Sequence, residues 1–291
     1  MDNMKFAVIG GDMRQAKLAE LLAADGHNVS TFAIDKIKPV NVIYADSAQA
    51  AAKDAQCVVL PLPIAPKSQI FNAPLSENTH TVETIFKSLK PEQVICAGRI
   101  SKEIYEMAAK HRLGLSDYYA REELAVSNSV ATAEGAVKIA IEETSITLGK
   151  AKCLVIGFGR IGKVLSHRLK AMGADVTASA RSYGDMAWID AYGYGVENTE
   201  RLYGKLSGYD IVFNTVPARV LDERLLSEID KECLCVDLAS KPGGMDFIAA
   251  SKLGLHAIWA LSLPGEVAPV TSGVIIRDTI YNILREMGWK V

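Results

Sequence analysis

The sequence predicts an α/β protein made of two doubly wound parallel-sheet domains joined by a long helix. Three observations support this fold class. Strand-like and helix-like segments alternate along two stretches of the chain, which is typical of parallel sheets with helices on their faces. A glycine-rich loop, Gly157–Gly162, connects a strand to a helix in the second stretch. An apolar stripe at helical spacing separates the two stretches.

The first stretch, residues 1–127, is predicted to be a substrate or catalytic domain that opens with an apolar strand, a glycine pair and a helix. Runs rich in β-branched residues predict its strands, and apolar residues three and four positions apart predict its helices. The predicted strands are 5–9, 28–33, 42–44, 57–61 and 93–97. The predicted helices are 13–25, a segment from Ser47, 81–89 and 101–111.

A long helix is predicted over residues 128–148. Its apolar residues fall on one stripe, and Asn128 belongs to a residue type that caps helix N-termini. The stripe consists of Val130, Ala133, Val137, Ala140, Ile141 and Leu148. We interpret this segment as the connector between the two domains.

The second stretch, residues 149–268, alternates in the same way. Its predicted strands lie at 152–156, 175–180, 194–196, 210–213, 233–237 and 255–258. Beyond it, an amphipathic helix is predicted from Pro269 to Met287. Because its apolar face needs a partner surface, we expect residues 269–291 to pack back on the first domain.

The glycine-rich loop of the second domain has the Gly-x-Gly-x-x-Gly spacing of a Rossmann dinucleotide site. The first glycine permits a tight turn, the second lets the backbone approach a pyrophosphate, and the third lets helix and strand pack closely. The N–H groups at the start of the helix would face the anion. The predicted cofactor contacts in this region are Gly157, Gly159, Arg160, Ile161, Gly162, Thr215, Val216 and Pro217.

The end of the next strand predicts which dinucleotide is bound. NAD-selective sites carry Asp or Glu about 20 residues beyond the glycines, where it accepts hydrogen bonds from the ribose 2′-OH. This sequence instead has Arg181 between the hydroxyls of Ser179 and Ser182, which offers donors to a 2′-phosphate. NADP(H) is therefore the predicted cofactor. The alternative is that Arg181 is a solvated surface residue.

Composition excludes several classes of protein. The chain has 291 residues, 49% of them hydrophobic, and a formal net charge of −2, unlike a basic nucleic-acid binder. No apolar run reaches the roughly 20 residues needed to span a bilayer, and we expect no secretory signal. Five cysteines lie mostly in apolar, strand-like runs, which favours a reducing compartment. We expect a cytoplasmic homo-oligomer without a metal site.

In doubly wound sheets, ligands bind beyond the carboxyl ends of the strands. Residues on the predicted loops at those ends are candidate substrate contacts, namely Arg14, Arg99, Lys241 and Ser262, with Lys67 as a further cation. Each cation has the alternative of a surface residue that pairs with a nearby acid. The last loop of the second domain has Ser262 and no histidine, so the catalytic base is unassigned. Oxidation of a simple hydroxy acid by a His–carboxylate pair is disfavoured for the same reason.

Several motifs occur in a fixed order along the chain. They are Val8–Gln15, Pro61–Pro63, Asn128–Ala136, Gly157–Gly162, Ala180–Ser182 and Leu263–Thr271. This set resembles the family of dipicolinate synthase A subunits, and the two-domain plan resembles the wider group of 2-hydroxy-acid and alanine dehydrogenases. The resemblance covers essentially the whole chain.

The resemblance implies an activity and a partner. It implies an NADP-dependent oxidoreductase subunit that oxidises a dihydrodipicolinate-type precursor to pyridine-2,6-dicarboxylate in the mother cell of a sporulating organism. It also implies that the B subunit of dipicolinate synthase is the partner in a two-subunit enzyme. Two alternatives are open: a non-catalytic NADP-binding subunit or sensor, and another dehydrogenase of the alanine or hydroxy-acid type.

Overall fold

The structure, a computed structural model, describes residues 3–66 and 69–291. The chain divides into two compact units, residues 1–128 with 268–291 and residues 129–267. Each unit contains a six-stranded sheet with helices around it. The predicted fold class of two doubly wound parallel sheets joined by a long helix is confirmed.

The first unit is built on a parallel sheet of six strands, of which all but the last follow the predicted apolar runs. They are β1 (Lys5–Ile9), β2 (Asn28–Phe32), β3 (Ile43–Tyr44), β4 (Cys57–Val59), β5 (Val94–Ala97) and β6 (Leu115–Asp117). Their order is β3-β2-β1-β4-β5-β6, and every neighbouring pair is parallel. The chain changes direction across the sheet between β1 and β4. The loops after these two strands therefore flank a crevice at the carboxyl edge.

Short helices cover the faces of this sheet, and side-chain caps begin most of them. They are α1 (Met13–Ala24), α2 (Ala48–Ala52), α3 (Val82–Phe86) and α4 (Lys102–Lys110). Ser47, Thr81 and Ser101 each accept a backbone N–H from the first turn of the helix that follows. These hydroxyls fix where α2, α3 and α4 begin.

The C-terminal helix belongs to the first unit. The helix, α11 (Pro269–Glu286), lies against α1, and Ile280 and Leu284 are buried in the same core as Leu18. The Tyr281 hydroxyl also donates to the Asp25 carboxylate at 2.8 Å. The apolar face of α11 thus has the partner surface that its sequence pattern requires.

The long helix differs from its predicted bounds. It is α5 (Glu122–Glu143), so it begins before Asn128, which lies inside it, and ends before Leu148. Glu122 and Glu123 occupy its first turn, where negative charge favours a helix N-terminus, and this polar start lies outside the apolar stripe used for the prediction. The division between the two units falls within α5, after Asn128.

The second unit repeats the plan of the first. Its strands are β7 (Lys152–Ile156), β8 (Asp175–Ala180), β9 (Gly195–Asn198), β10 (Ile211–Asn214), β11 (Leu234–Asp237) and β12 (His256–Trp259). Its remaining helices are α6 (Arg160–Ala171), α7 (Tyr183–Ala191), α8 (Glu223–Leu226), α9 (Phe247–Leu253) and α10 (Leu263–Val267). The strand order β12-β11-β10-β7-β8-β9 places the change of direction between β7 and β10. The loops after β7 and β10 flank the crevice of this sheet.

Two further features bear on the composition arguments. All five cysteines are buried free thiols within the cores. Among the described residues, no helix combines the length and the apolar character needed to cross a membrane.

Candidate functional site

The glycine-rich loop lies at the carboxyl end of β7, as its spacing predicts. Gly157 has φ +95°, a left-handed conformation that favours glycine, and a Cβ there would lie 2.5 Å from the Thr215 Oγ1. A Cβ on Gly162 would lie only 2.0 Å from the carbonyl oxygen of Gly157. The close approach of helix α6 to the loop therefore requires both glycines.

Gly159 differs from these two because the space in front of it is open. It is the N-cap residue of α6, no described side chain caps the helix there, and a Cβ built on it meets no described atom within 4 Å. A helix N-terminus that lacks a capping side chain directs N–H donors and a positive dipole into this space. The geometry fits the pyrophosphate of a dinucleotide.

The end of β8 carries one free cation and two engaged hydroxyls. Arg181 is exposed and forms no hydrogen bond or ion pair with any residue that the structure describes. Ser182 caps α7 by accepting the Asp185 N–H at 3.0 Å, and its hydroxyl donates to the Asp185 carboxylate at 2.7 Å. Of these two side chains, only Arg181 has all its donors free.

Ser179 is a correction to the predicted cofactor contacts. The residue is completely buried, and its hydroxyl is hydrogen-bonded to that of Thr199 at 2.9 Å. Alternation along the strand turns this side chain into the protein, so it cannot reach a cofactor. Its role is to join β8 to the turn after β9.

The loop after β10 faces the glycine-rich loop. The Thr215 hydroxyl donates to the Ile156 carbonyl at 3.0 Å, which ties the loop to the end of β7. Val216 is half-buried and Pro217 is exposed. Thr215 therefore fixes the position of this loop, while Val216 and Pro217 remain available as contacts.

In the first unit, Arg14 is already paired. Its guanidinium donates to both carboxylate oxygens of Asp12 at 2.7–3.2 Å and to the Leu62 carbonyl at 2.6 Å. Burial alone would lower the pKa of Arg14, but the hydrogen bond and charge of Asp12 outweigh it and raise that pKa. Arg14 thus pairs with a nearby acid, as in the alternative, although its side chain is largely buried, and its role as a substrate contact stays a prediction.

Arg99 has the opposite character. Its backbone has φ +54°, and its N–H donates to the Asp117 Oδ1 at 3.0 Å, while Asp117 Oδ2 accepts the Ile100 N–H at 2.9 Å. A strained residue held in this way often marks a functional site. The Arg99 side chain is exposed and forms no ion pair with the described part of the chain.

The predicted polar residues of the second unit are also exposed. Lys241 follows β11 and has no acidic partner among the described residues. Ser262 follows β12 with φ +63°, and its hydroxyl has no described hydrogen-bond partner. Lys67 lies outside the described residues.

The histidines are placed away from these loops or are already paired. His111 lies 3.1 Å from Glu83, and His256, at the amino end of β12, lies 3.3 Å from Glu143. His80 is hydrogen-bonded to the Ser76 hydroxyl at 3.2 Å. Within residues 3–66 and 69–291, no group of three or more His, Cys, Asp or Glu side chains could hold a metal ion.

Sequence reasoning missed two buried polar residues at the strand ends. Asn214 ends β10 and Asp237 ends β11, both are completely buried, and they are joined by a 2.7 Å hydrogen bond. The available signal was a polar residue at the end of each of two apolar runs. Such residues mark the edge where ligands bind in parallel sheets.

Comparisons with known proteins divide the chain at nearly the same place. Residues 5–119 match the family model for the N-terminal domain of the dipicolinate synthase A subunit. Residues 129–229 match the model for the NAD binding domain of D-isomer specific 2-hydroxyacid dehydrogenases. The transhydrogenase of Sinorhizobium meliloti shares the fold, with TM-score 0.73 and 15% identity over 97% of this chain and 94% of that one. Fold and site define a dehydrogenase-type α/β protein whose second unit has the loop geometry of a nicotinamide-dinucleotide site.

Similarity over the full length narrows this class. The chain is 29% identical to the A subunit of dipicolinate synthase from Bacillus subtilis, over 99% of this chain and 98% of that protein. The crystal structure of the corresponding A subunit from Bacillus halodurans superposes with TM-score 0.89 and 28% identity, covering 97% of each chain. Residues 5–119 match the model of the dipicolinate synthase A-subunit N-terminal domain, and the predicted resemblance to the A subunit is confirmed along the chain.

Proposed function

We propose that the chain is the NADP(H)-dependent oxidoreductase subunit of a dipicolinate synthase. It would oxidise a dihydrodipicolinate-type ring to pyridine-2,6-dicarboxylate. The observation that carries the proposal is the open, uncapped start of α6 at Gly159, in a chain similar over its full length to the A subunit of dipicolinate synthase. The similarity supports the substrate class, and the open helix start supports a bound dinucleotide.

Residues of the second unit would hold the cofactor. The backbone from Gly157 to Gly162 would bind the pyrophosphate, and Arg181 would bind the 2′-phosphate that distinguishes NADP(H) from NAD(H). Val216 and Pro217 would line the other side of the crevice. When bound, NADP⁺ supplies the hydride acceptor for the ring.

The two carboxylates of the substrate require cations that are not already neutralised. Arg99 in the first unit and Lys241 in the second meet this condition, whereas Arg14 is paired with Asp12. We assign the substrate contacts of the second unit to Lys241, with Ser262 as an additional hydrogen-bond donor, and keep Arg99 as the candidate carboxylate contact of the first unit. Arg14 would act indirectly, because it holds the carbonyl of Leu62 at the edge of its crevice.

The proton released on oxidation has no assigned protein acceptor. Loss of a hydride and a proton makes the ring aromatic, so the ring proton is already acidic and water can accept it. Positioning of the ring by the proline- and glycine-rich loops would then contribute most of the catalysis. Replacing the His, Asp and Tyr residues near the strand ends one at a time tests this. The mechanism would be contradicted if one of these substitutions abolished hydride transfer in a single turnover and left cofactor affinity unchanged.

We also propose a setting for the protein. The Bacillus subtilis relative is named as one of the subunits of a synthase, which supports the B subunit of dipicolinate synthase as the partner of this chain. Dipicolinate synthesis in turn supports a role in sporulation in the cytoplasm of the mother cell. We further propose that the chain forms a homo-oligomer, which sedimentation analysis of the purified protein would test.

The experiment is a spectrophotometric assay of coenzyme reduction with the product of dihydrodipicolinate synthase as substrate. We expect NADPH to form when the chain is supplied with NADP⁺ and its partner, and dipicolinate to accumulate in equal amount. The variant Gly159→Val, which fills the space in front of α6, is the control and should show no reduction. Turnover with NAD⁺ alone would refute the coenzyme assignment.

A non-catalytic cofactor-binding protein is the second candidate. It is favoured by the pairing of His111 and His256 with acids away from the carboxyl-edge loops. The same assay separates the two, because a non-catalytic protein would bind NADPH but give no reduction with or without its partner. Alanine and 2-hydroxy acids are offered in parallel, and we expect no turnover of either.

A further inference from the structure

The carboxylate of Asp237 is buried in the second unit without a cation. Its Oδ1 accepts the Asn214 Nδ2–H at 2.7 Å and the Ala239 N–H at 3.0 Å. Its Oδ2 accepts the N–H groups of Gly244 at 2.7 Å and Met245 at 3.1 Å. No Lys, Arg or His of the described residues forms an ion pair with it. Four N–H donors therefore replace water around this charge, which is the condition for burying a carboxylate.

Asn214 extends this network to the wall of the crevice. Its Nδ2 donates to the Val216 carbonyl at 3.0 Å, and its Oδ1 accepts the Val216 N–H at 3.2 Å. The Val216 Cγ2 lies 2.8 Å from the position that a Cβ on Gly157 would occupy. Asn214 thus holds both backbone polar groups of the residue that faces the glycine-rich loop.

The loop after β11 is bound to the same network. A Cβ on Gly244 would lie 2.2 Å from the Asn214 Nδ2 and 2.5 Å from the Val216 carbonyl oxygen. The Gly244 carbonyl accepts N–H groups of Val220 at 3.0 Å and Leu221 at 2.9 Å. The loops after β10 and β11 therefore form one hydrogen-bonded body with the Asp237 carboxylate at its centre, and this body carries Lys241.

We propose that Asp237 and Asn214 are positioning residues for the dinucleotide, acting through Val216. An apolar pair of the same shape would often give equal or greater stability, so a buried polar network is better explained by the single loop conformation that it specifies. The network sits at the carboxyl edge beside the proposed cofactor crevice, where that conformation matters. This inference rests on the cofactor site of the proposed function.

The test measures coenzyme affinity by fluorescence titration, using whichever of NADPH and NADH the wild-type chain binds more tightly. Asp237→Asn turns an NH₂ group toward backbone N–H donors, and Asn214→Ala cuts the link to Val216. Each should weaken binding about tenfold or more, the effect of an unsatisfied buried group at roughly 1.4 kcal/mol per tenfold. The exchange Asn214→Asp with Asp237→Asn restores a hydrogen bond between the two positions and should recover part of the affinity.

Asp210→Asn is the matched control. Asp210 accepts the Lys152 N–H at 2.7 Å beside the amino end of β10, so the substitution alters an Asp–backbone bond on the far side of the same sheet. It should leave coenzyme affinity unchanged. All titrations are made well below the melting temperature of each variant, so that loss of fold does not mimic loss of binding.

Amide hydrogen exchange supplies the readout that does not need the coenzyme. In Asn214→Ala, the Val216 amide should exchange faster, and the amides within β7 should not. Wild-type affinity in both Asp237→Asn and Asn214→Ala would overturn the inference, as would unchanged exchange at Val216. Preference of the wild type for NADH would overturn the proposed coenzyme. It would not decide this inference, which is tested by the affinities of Asp237→Asn and Asn214→Ala for the preferred coenzyme.

Discussion

The two units place a strand, a glycine loop and a helix at the same point of the same sheet topology, yet the loops are chemically opposite. After β1, Asp12 caps α1: its carboxylate accepts the Arg14 N–H, and Gln15 completes a capping box. After β7, the equivalent N-cap is Gly159, with open space before it. One helix start is closed by its own carboxylate and the other is open to an anion from outside.

The difference shows that a glycine loop in this fold leaves the helix start open only where its own side chains neither cap nor fill it. Gly11 follows β1 with φ +98°, but a Cβ on it would lie 2.5 Å from the Gln15 side chain, so that loop is filled by its own residues. The negative charge of Asp12 is balanced by Arg14. Glycine supplies the turn in both loops, and only the second leaves room for phosphate.

The largest expected effect comes from Gly162→Ala. Its Cβ would overlap the Gly157 carbonyl oxygen, so α6 must move away from the loop. We expect a loss of about 1–3 kcal/mol in the free energy of unfolding, and NADP(H) binding too weak to measure. Urea unfolding and fluorescence titration measure the two effects.

Gly184→Ala is the control for that change, because a Cβ at Gly184 in α7 meets no described atom within 4 Å. It should stabilise the protein by roughly 0.5–1 kcal/mol. Equal stability of the Gly162→Ala protein and the wild type would show that the close approach of α6 to the loop is not required.

In the second prediction, the loop after β7 is given the same kind of helix cap as the loop after β1. Gly159→Asp places a capping carboxylate at the start of α6, as Asp12 does for α1. The free energy of unfolding should rise by a few tenths of a kcal/mol. NADP(H) affinity should fall about 100-fold, because the new carboxylate repels phosphate and accepts the N–H groups at the start of α6 that would otherwise bind it. Calorimetric titration checks the affinity.

Gly159→Asn separates charge from size in that experiment. The amide caps equally well without the negative charge, so its loss of affinity should be clearly smaller than that of Gly159→Asp. If both variants bound NADP(H) as the wild type does, the space in front of Gly159 would not be the phosphate site.

The glycine-rich loop after β7 is the part of the site that the sequence predicts best. Strand, glycine spacing and helix are local features, so Gly157, Gly159 and Gly162 fall where the pattern places them. The caps of the short helices follow from local chemistry too, as Ser47 shows. Local geometry suffices for these features because every interaction involved spans only a few residues.

What the sequence could not predict depends on partners distant along the chain. Ser179 is turned toward Thr199, Arg14 reaches the carbonyl of Leu62, and Asn214 meets Asp237 across neighbouring strands. None of these partners is identifiable without the sheet register. Exposure and pairing of individual polar side chains are therefore properties of the tertiary structure, even where strand ends are predicted correctly.

The third prediction concerns Arg181, an exposed cation of the second unit that has no partner among the described residues. Arg181→Glu should weaken NADP(H) binding by about 1–3 kcal/mol more than NAD(H) binding, the size of a lost charged hydrogen bond. Arg181→Gln should give a smaller change of the same sign. Parallel titrations with the two coenzymes measure the difference, and equal weakening of both would remove the basis for NADP(H) preference.

In the fourth prediction, the carboxylate cap is removed from the loop after β1. Asp12→Ala removes the cap of α1 and should lower the free energy of unfolding by about 1 kcal/mol. Asp12→Asn keeps the cap and loses only the charge that pairs with Arg14, so it should cost less. Neither change should alter NADP(H) affinity, and a loss comparable to that of Gly159→Asp would mean that the first loop also contributes to coenzyme binding.

The smallest expected effect is a pH dependence confined to the first unit. His27 is buried there, its Nδ1 accepts the Met4 N–H at 3.2 Å, and its Nε2 has no described partner. Burial lowers the pKa of His27, against the opposing charge of Asp25. Below its ordinary pKa of about 6.5, the unfolded chain therefore binds this proton more readily than the folded one. Stability from this group is complete above that pH and is lost as pH falls through it.

His27→Asn should isolate that contribution, because the amide oxygen can still accept the Met4 N–H but does not titrate. Between pH 7 and pH 5, the free energy of unfolding should fall less steeply in the variant than in the wild type. Urea titrations at several pH values measure both slopes. NADP(H) affinity should respond to pH in the same way in both proteins, because His27 lies in the first unit and the glycine-rich loop in the second. Identical stability slopes would mean that His27 keeps an ordinary pKa in the folded chain.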